Sequence, residues 1–199
     1  MFVQVIRGPV SPDGDFRALL DKWMQEVRPG AIGWLGMTAG ITADGELLAM
    51  ARFASSDEAR RNSDRPEQDA WWAQMENVFA GPVTFHDCED VALFLDGGSD
   101  DAGFVQVIES ASDAPPTATE LAEASSGLIA QHRPDVLGGF IAVAGDGTVF
   151  DAVYFTSEAE ARENEAKPLP DDAQAAMDAL MAPLGEPTFH DLSDPILVS

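Results

Sequence analysis

Of the chain's 199 residues, 45 % are hydrophobic, which is enough for a packed core and too much for a disordered tail. Against 35 Asp and Glu stand only 11 Lys and Arg, and a formal charge of −24 repels phosphate backbones and anionic lipid, so no nucleic acid and no membrane partner is expected. The lone cysteine, Cys88, allows no disulfide within the chain and no thiolate metal cluster, and it suits a reducing, cytoplasmic setting. No stretch approaches the roughly 20 apolar residues that cross a bilayer, and Met1 opens a strand-like run rather than a secretory leader.

Residues 2–6 alternate and are rich in β-branched and aromatic side chains, which predicts a strand. Asp13 and Asp15 then offer caps to a helix whose apolar positions Phe16, Leu19, Leu20, Trp23 and Val27 form one stripe, ended by Pro29-Gly30. Residues 34–42 and 46–53 read as a hairpin around Asp44-Gly45. Ser56 caps a short helix through Asn62, and Pro66 starts another carrying Trp71, Met75, Val78 and Phe79. A strand at 83–87 follows, with Val91 to Leu95 as a further strand beyond it.

The chain is then written a second time. Phe2-Val3-Gln4-Val5-Ile6 returns letter for letter as Phe104 to Ile108, and Phe53 to Asn62 returns in altered form as Phe155 to Asn164. Thr84-Phe85-His86-Asp87 returns as Thr188-Phe189-His190-Asp191. Asp146-Gly147 repeats the hairpin turn, with a helix at 117–132, a helical region from about 157 to 182 and a terminal strand in Pro195-Ile196-Leu197-Val198. Two repeats are expected, 1–95 and 103–199, joined by a polar linker at 96–102.

The order β-α-β-β-α-β with right-handed crossovers predicts an α+β, ferredoxin-like sheet of strand order 4-1-3-2, with both helices on one face. The second copy would cover the other face, sheet to sheet, and one chain supplying both halves would be a monomer. Element order, together with Ser63-Asp-Arg-Pro-Glu-Gln-Asp-Ala-Trp-Trp72, resembles the dimeric α+β barrel superfamily of antibiotic-biosynthesis-monooxygenase-like proteins, here as a tandem fusion. That resemblance implies a small apolar or aromatic ligand, and in some relatives the oxidation of polycyclic phenols with no cofactor. Other relatives degrade haem with an Asn on strand one, a Trp on the second helix and an iron-binding helical His. Here strand one carries Gln4, Trp71 or Trp72 matches the Trp, and His86 lies on a strand, so no cofactor is expected.

Strand alternation sorts the polar candidates. With Val3, Val5 and Phe85 facing the helices, Gln4 and His86 would point into the barrel interior, beside Arg52 of strand three. Gln106, His190 and Tyr154 are the corresponding set in the second half. His86 is the candidate base of an enzyme, and a hydrogen-bonded structural histidine is the other reading. All four tryptophans, Trp23, Trp34, Trp71 and Trp72, fall in the first half; adjacent on one helix, Trp71 and Trp72 diverge by about 100°, which places one toward the core and one at a pocket edge. The three scattered histidines carry no metal-ligand spacing, so no metal is expected. Three function classes remain open: a cofactor-independent monooxygenase or isomerase, a non-catalytic binding module, and a structural protein with filled interiors.

Overall fold

The computed structural model describes all residues, Met1–Ser199. Strand β1 (Phe2–Pro9) leads into helix α1 (Phe16–Lys22), whose first turn is capped by the Asp15 side chain accepting from the Ala18 N–H at 2.9 Å. The chain continues through a π-helical turn, Trp23–Val27, and a short 3-10 turn, Arg28–Gly30. Hairpin β2 (Trp34–Ile41) and β3 (Glu46–Phe53) precedes α2 (Ser56–Ser63) and α3 (Pro66–Met75). The cap of α2 is Ser55 rather than Ser56, because the Ser55 hydroxyl accepts from the Glu58 N–H.

The strand expected at 83–87 and the one expected beyond it are a single element, β4 (Thr84–Leu95). Its start pairs with β1 and its far part with the other half of the chain, and a bulge between Cys88 and Asp90 re-aims the strand midway. The second half runs β5 (Phe104–Ala111), α4 (Ala118–His132), β6 (Val136–Ala144), β7 (Thr148–Phe155), α5 (Glu158–Glu165), α6 (Asp171–Met181), β8 (Thr188–Leu192) and β9 (Ile196–Val198).

The nine strands form one sheet of order β8-β5-β7-β6-β4-β1-β3-β2-β9. Each half shows the ferredoxin-like order, and the halves join edge to edge through β4 and β6. Strands β8 and β9 stand at opposite ends of that order, yet only Ser193 to Pro195 separates them in the chain. The sheet must therefore curl until its ends meet, and the two halves enclose one interior rather than two. Val3, Val5, Leu48, Met50, Val105, Val107, Phe140, Phe150 and Tyr154 fill that interior, while two further apolar layers lie between the sheet's outer face and the helices of each half.

Gly36 and Gly138 occupy the same place in the two hairpins, each beside a break in strand register, with φ +138° and +151°. A Cβ on Gly36 would stand 2.3 Å from the Val198 carbonyl oxygen, and one on Gly138 2.2 Å from that of Gly97. Glycine is needed there both for the backbone angle and for the seam where the halves close on each other. No helix is long and apolar enough to cross a membrane.

Candidate functional site

Strand register decides which polar residues meet. Val5 pairs with His86 and Val3 with Arg52, so these four side chains face the barrel interior, whereas Gln4 pairs with Asp87 on the outer face. The expected inward orientation of Gln4 is thus reversed. Both faces of β1 are apolar, Phe2 and Ile6 outward and Val3 and Val5 inward, so alternation could not tell inside from outside.

The candidate residues lie in four places. Arg52 and Tyr154, expected in separate halves, meet in the interior: Arg52 Nη1 donates to Thr38 Oγ1 at 3.1 Å and to Tyr154 Oη at 3.3 Å, and Arg52 Nη2 donates to the Val198 carbonyl at 3.2 Å. Burial pushes the Tyr154 phenol above its usual range, so it remains a neutral hydrogen-bonding group.

At the opposite end of the interior His86 places Nδ1 3.4 Å from Asp146 and packs edge-on against Phe150. His190 Nε2 lies 2.9 Å from Glu109, which also pairs with Arg7, whose second arm holds Glu46 at 2.7 Å. Three of these contacts, Arg7–Glu109, Arg7–Glu46 and His190–Glu109, bind β1, β3, β5 and β8 into one network. The His190 hydrogen bond and the Arg7 charge hold the Glu109 carboxyl below the usual range against its burial. That stabilisation is present above the unfolded-state pKa and is lost as pH falls through the carboxylate range. Glu109→Gln should cost about 2–3 kcal/mol at pH 7 by leaving Arg7 under-paired, and urea unfolding checks it; a difference that persists unchanged in acid would refute the assignment.

Gln106 lies on the outer face of the second half and donates to Asp191 Oδ1 at 2.8 Å. Arg162 of α5 closes over that pair, bonding Asp191 Oδ2 and standing 5.1 Å above the Phe104 ring.

Gln4, Trp71 and Trp72 meet in the fourth place, a cavity of about 270 Å³ between the outer face of β1, β2 and β3 and the helices α1 to α3. Trp23, Trp34, Phe53 and Phe85 supply its other aromatic walls. The rings form a chain: Trp23 lies 5.2 Å from Trp34 and 6.4 Å from Trp71, and Trp72 lies 6.1 Å from Trp71 and 5.4 Å from Phe85. Trp71 is buried and Trp72 half-buried.

The polar lining is already partly paired. Trp71 Nε1 donates to the Leu19 carbonyl and Trp23 Nε1 to Gln68 Oε1, both at 2.8 Å. Buried Asn62 accepts from Arg65 at 3.0 Å. This leaves the Gln4 carbonyl and the Gln68 amide N–H groups as groups for a guest, and Asp69 as the acidic group of the lining. His86, Arg52, Tyr154, Gln106 and His190 do not line this cavity. Neither histidine nor cysteine does, so it offers no imidazole or thiolate to a haem iron. Sequence reasoning missed Asn62, Gln68, Asp69, Trp23, Trp34 and Phe85 as lining residues; the concentration of every tryptophan in one half was the signal that could have found Trp23 and Trp34.

No protein-family model and no curated protein matches the sequence. Solved structures do resemble it. A provisionally assigned monooxygenase from Fusobacterium nucleatum superposes with a TM-score of 0.71 at 9 % identity, covering 96 % of this chain and 90 % of that one. A protein of the same provisional assignment from Lactobacillus acidophilus gives 0.69 at 10 % identity, covering 100 % and 99 %. An anthrone oxidase-like protein gives 0.68 at 13 % identity, covering 100 % and 90 %. Identities this low speak for the fold alone. The chain has the fold of the monooxygenase-like α+β barrels, with two ferredoxin-like repeats making the barrel within one polypeptide.

Proposed function

We propose that this protein binds a small planar aromatic compound in the tryptophan-lined cavity of its first half and oxidises it without a cofactor. The observation that carries the reading is the cavity itself: four tryptophans and two phenylalanines around about 270 Å³, with the Gln4 carbonyl and the Gln68 amide N–H groups left to orient a guest. The second half has no such aromatic wall, since Ala173 and Gln174 stand where the first half has Trp71 and Trp72.

An anthrone-type substrate states the chemistry in balance. Its ring CH2 gives up one proton to Asp69, and the resulting electron-rich enolate reacts with molecular oxygen. The carbon gains one oxygen as a ketone, and the second oxygen leaves as water with the two hydrogens. The substrate supplies the electrons and the cavity supplies position and a proton acceptor.

Anthrone should bind with quenching of tryptophan fluorescence, and chelator-treated protein should consume oxygen in its presence. Asp69→Asn should slow that uptake about a hundredfold, while His86→Ala should leave both binding and uptake unchanged, because His86 lies on the opposite face of the sheet. Binding without oxygen uptake would favour a non-catalytic binding module, and loss of binding in His86→Ala would place the site in the barrel interior instead. Since both repeats already share one barrel, we propose a monomer, with light scattering giving a mass near 21.2 kDa. A reducing, cytoplasmic setting agrees with a single thiol, Cys88, whose pKa burial pushes up to about 12.

A further inference from the structure

The duplicated chain carries its own comparison for the surroundings of Gln4, one wall of the cavity. In the second half Gln106 donates to Asp191 Oδ1 at 2.8 Å, and the Arg162 guanidinium takes Asp191 Oδ2. In the first half the same pair recurs: Gln4 donates to Asp87 Oδ1 at 2.9 Å. The residue matching Arg162 is Arg60, yet its guanidinium points along its own helix to Asp57 at 2.6 Å, with 70 % of the side chain exposed. Nothing in the chain takes Asp87 Oδ2. The place that a cation fills in the second repeat therefore stands open in the first, the repeat that has the aromatic cavity.

Gln4 connects the two features, because its side chain lines the cavity while donating to Asp87. Phe85, two residues before Asp87 on the same face of β4, is also a wall. Asp69, one turn before Trp72 on α3, is the carboxylate of the lining itself, and Asp87 stands behind Gln4. The nearby cations are engaged elsewhere: Arg65 donates to the Val27 carbonyl and Asn62, and Arg28 lies 4.8 Å over the Trp34 ring. A net charge of −24 adds a long-range field that attracts cations and repels anions.

We propose that this cavity prefers aromatic compounds that carry an alkylammonium or guanidinium arm, the cationic nitrogen held by Asp87 Oδ2 and the ring system among the tryptophans. This rests on the cavity reading above and names its substrate class.

The test is a calorimetric titration of the whole protein at pH 7 and low salt with three naphthalene probes of one shape: naphthylmethylamine, naphthalenemethanol and naphthoate. The amine should bind roughly fivefold more tightly than the alcohol, as for an ion pair near a surface, and the carboxylate should bind least. Added salt should shrink the amine's advantage. Asp87→Asn, which keeps an acceptor for Gln4, should abolish that advantage, and Asp87→Glu should retain it. Equal affinity for amine and alcohol in the unaltered protein, or an advantage that survives Asp87→Asn, overturns the inference while leaving the cavity reading intact. Failure of all three probes to bind overturns the cavity reading, and the inference with it.

Discussion

Replacing Asp151 by Ala should stabilise the protein by about 1–3 kcal/mol at pH 8 and change little near pH 4. Asp151 lies on the helix-facing side of β7, paired across the sheet with Ile108 and Ile141. The residue as a whole is half-buried, but its Oδ1 is out of reach of water and has no hydrogen-bond partner. Burial pushes its pKa up to about 7.

The folded pKa thus lies above the unfolded one. Between about pH 4 and pH 7 the folded chain holds a proton that the unfolded chain has released, so stability falls as pH rises through that window and stays low above it. A shift of this size corresponds to about 4 kcal/mol at most, and the half-exposed residue argues for the lower part of that range. The matching position in the first repeat is Ala49, buried in the helix-facing core, so alanine is already accepted by the same sheet geometry. Urea unfolding of both proteins at the two pH values cancels the contribution of the other carboxylates. A difference of equal size at both would show that Asp151 has a partner in solution.

Trp71→Ala and Trp72→Ala should separate stability from binding. Trp71 is buried, packs against Trp23 and donates to the Leu19 carbonyl, which ties α3 to α1. Its truncation should cost about 3–5 kcal/mol. Trp72 is half-buried and touches Phe79 and Phe85 at the cavity's edge, so its truncation should cost about 1 kcal/mol of stability and weaken aromatic ligands roughly tenfold or more. Thermal unfolding and ligand titration of both variants check this. Equal stability losses with unaltered binding would show that the tryptophans form only a core.

The element order was legible because the signals are local. Asp-Gly turns, the Asp15 cap and the apolar stripe of α1 are properties of neighbouring residues, and a repeat is visible by comparison of the chain with itself. The bulge between Cys88 and Asp90 was not legible, since nothing in Glu89 marks an extra residue until β4 has to leave β1 and pair with β6.

For the candidate site, the sequence alone determined that the first repeat holds the aromatic surface and that Gln4 and Gln106 hold equivalent positions. Only the tertiary structure decided on which face each lies, because a strand buried on both sides is apolar on both sides and period-two alternation loses its meaning. It alone brought Arg52 to Tyr154, and Arg7 to Glu109, residues 102 apart, because closing the sheet sets each repeat's interior face against the other's. It also turned Arg162 inward and Arg60 outward, a choice between two ion pairs that depends on where neighbouring carboxylates stand in space.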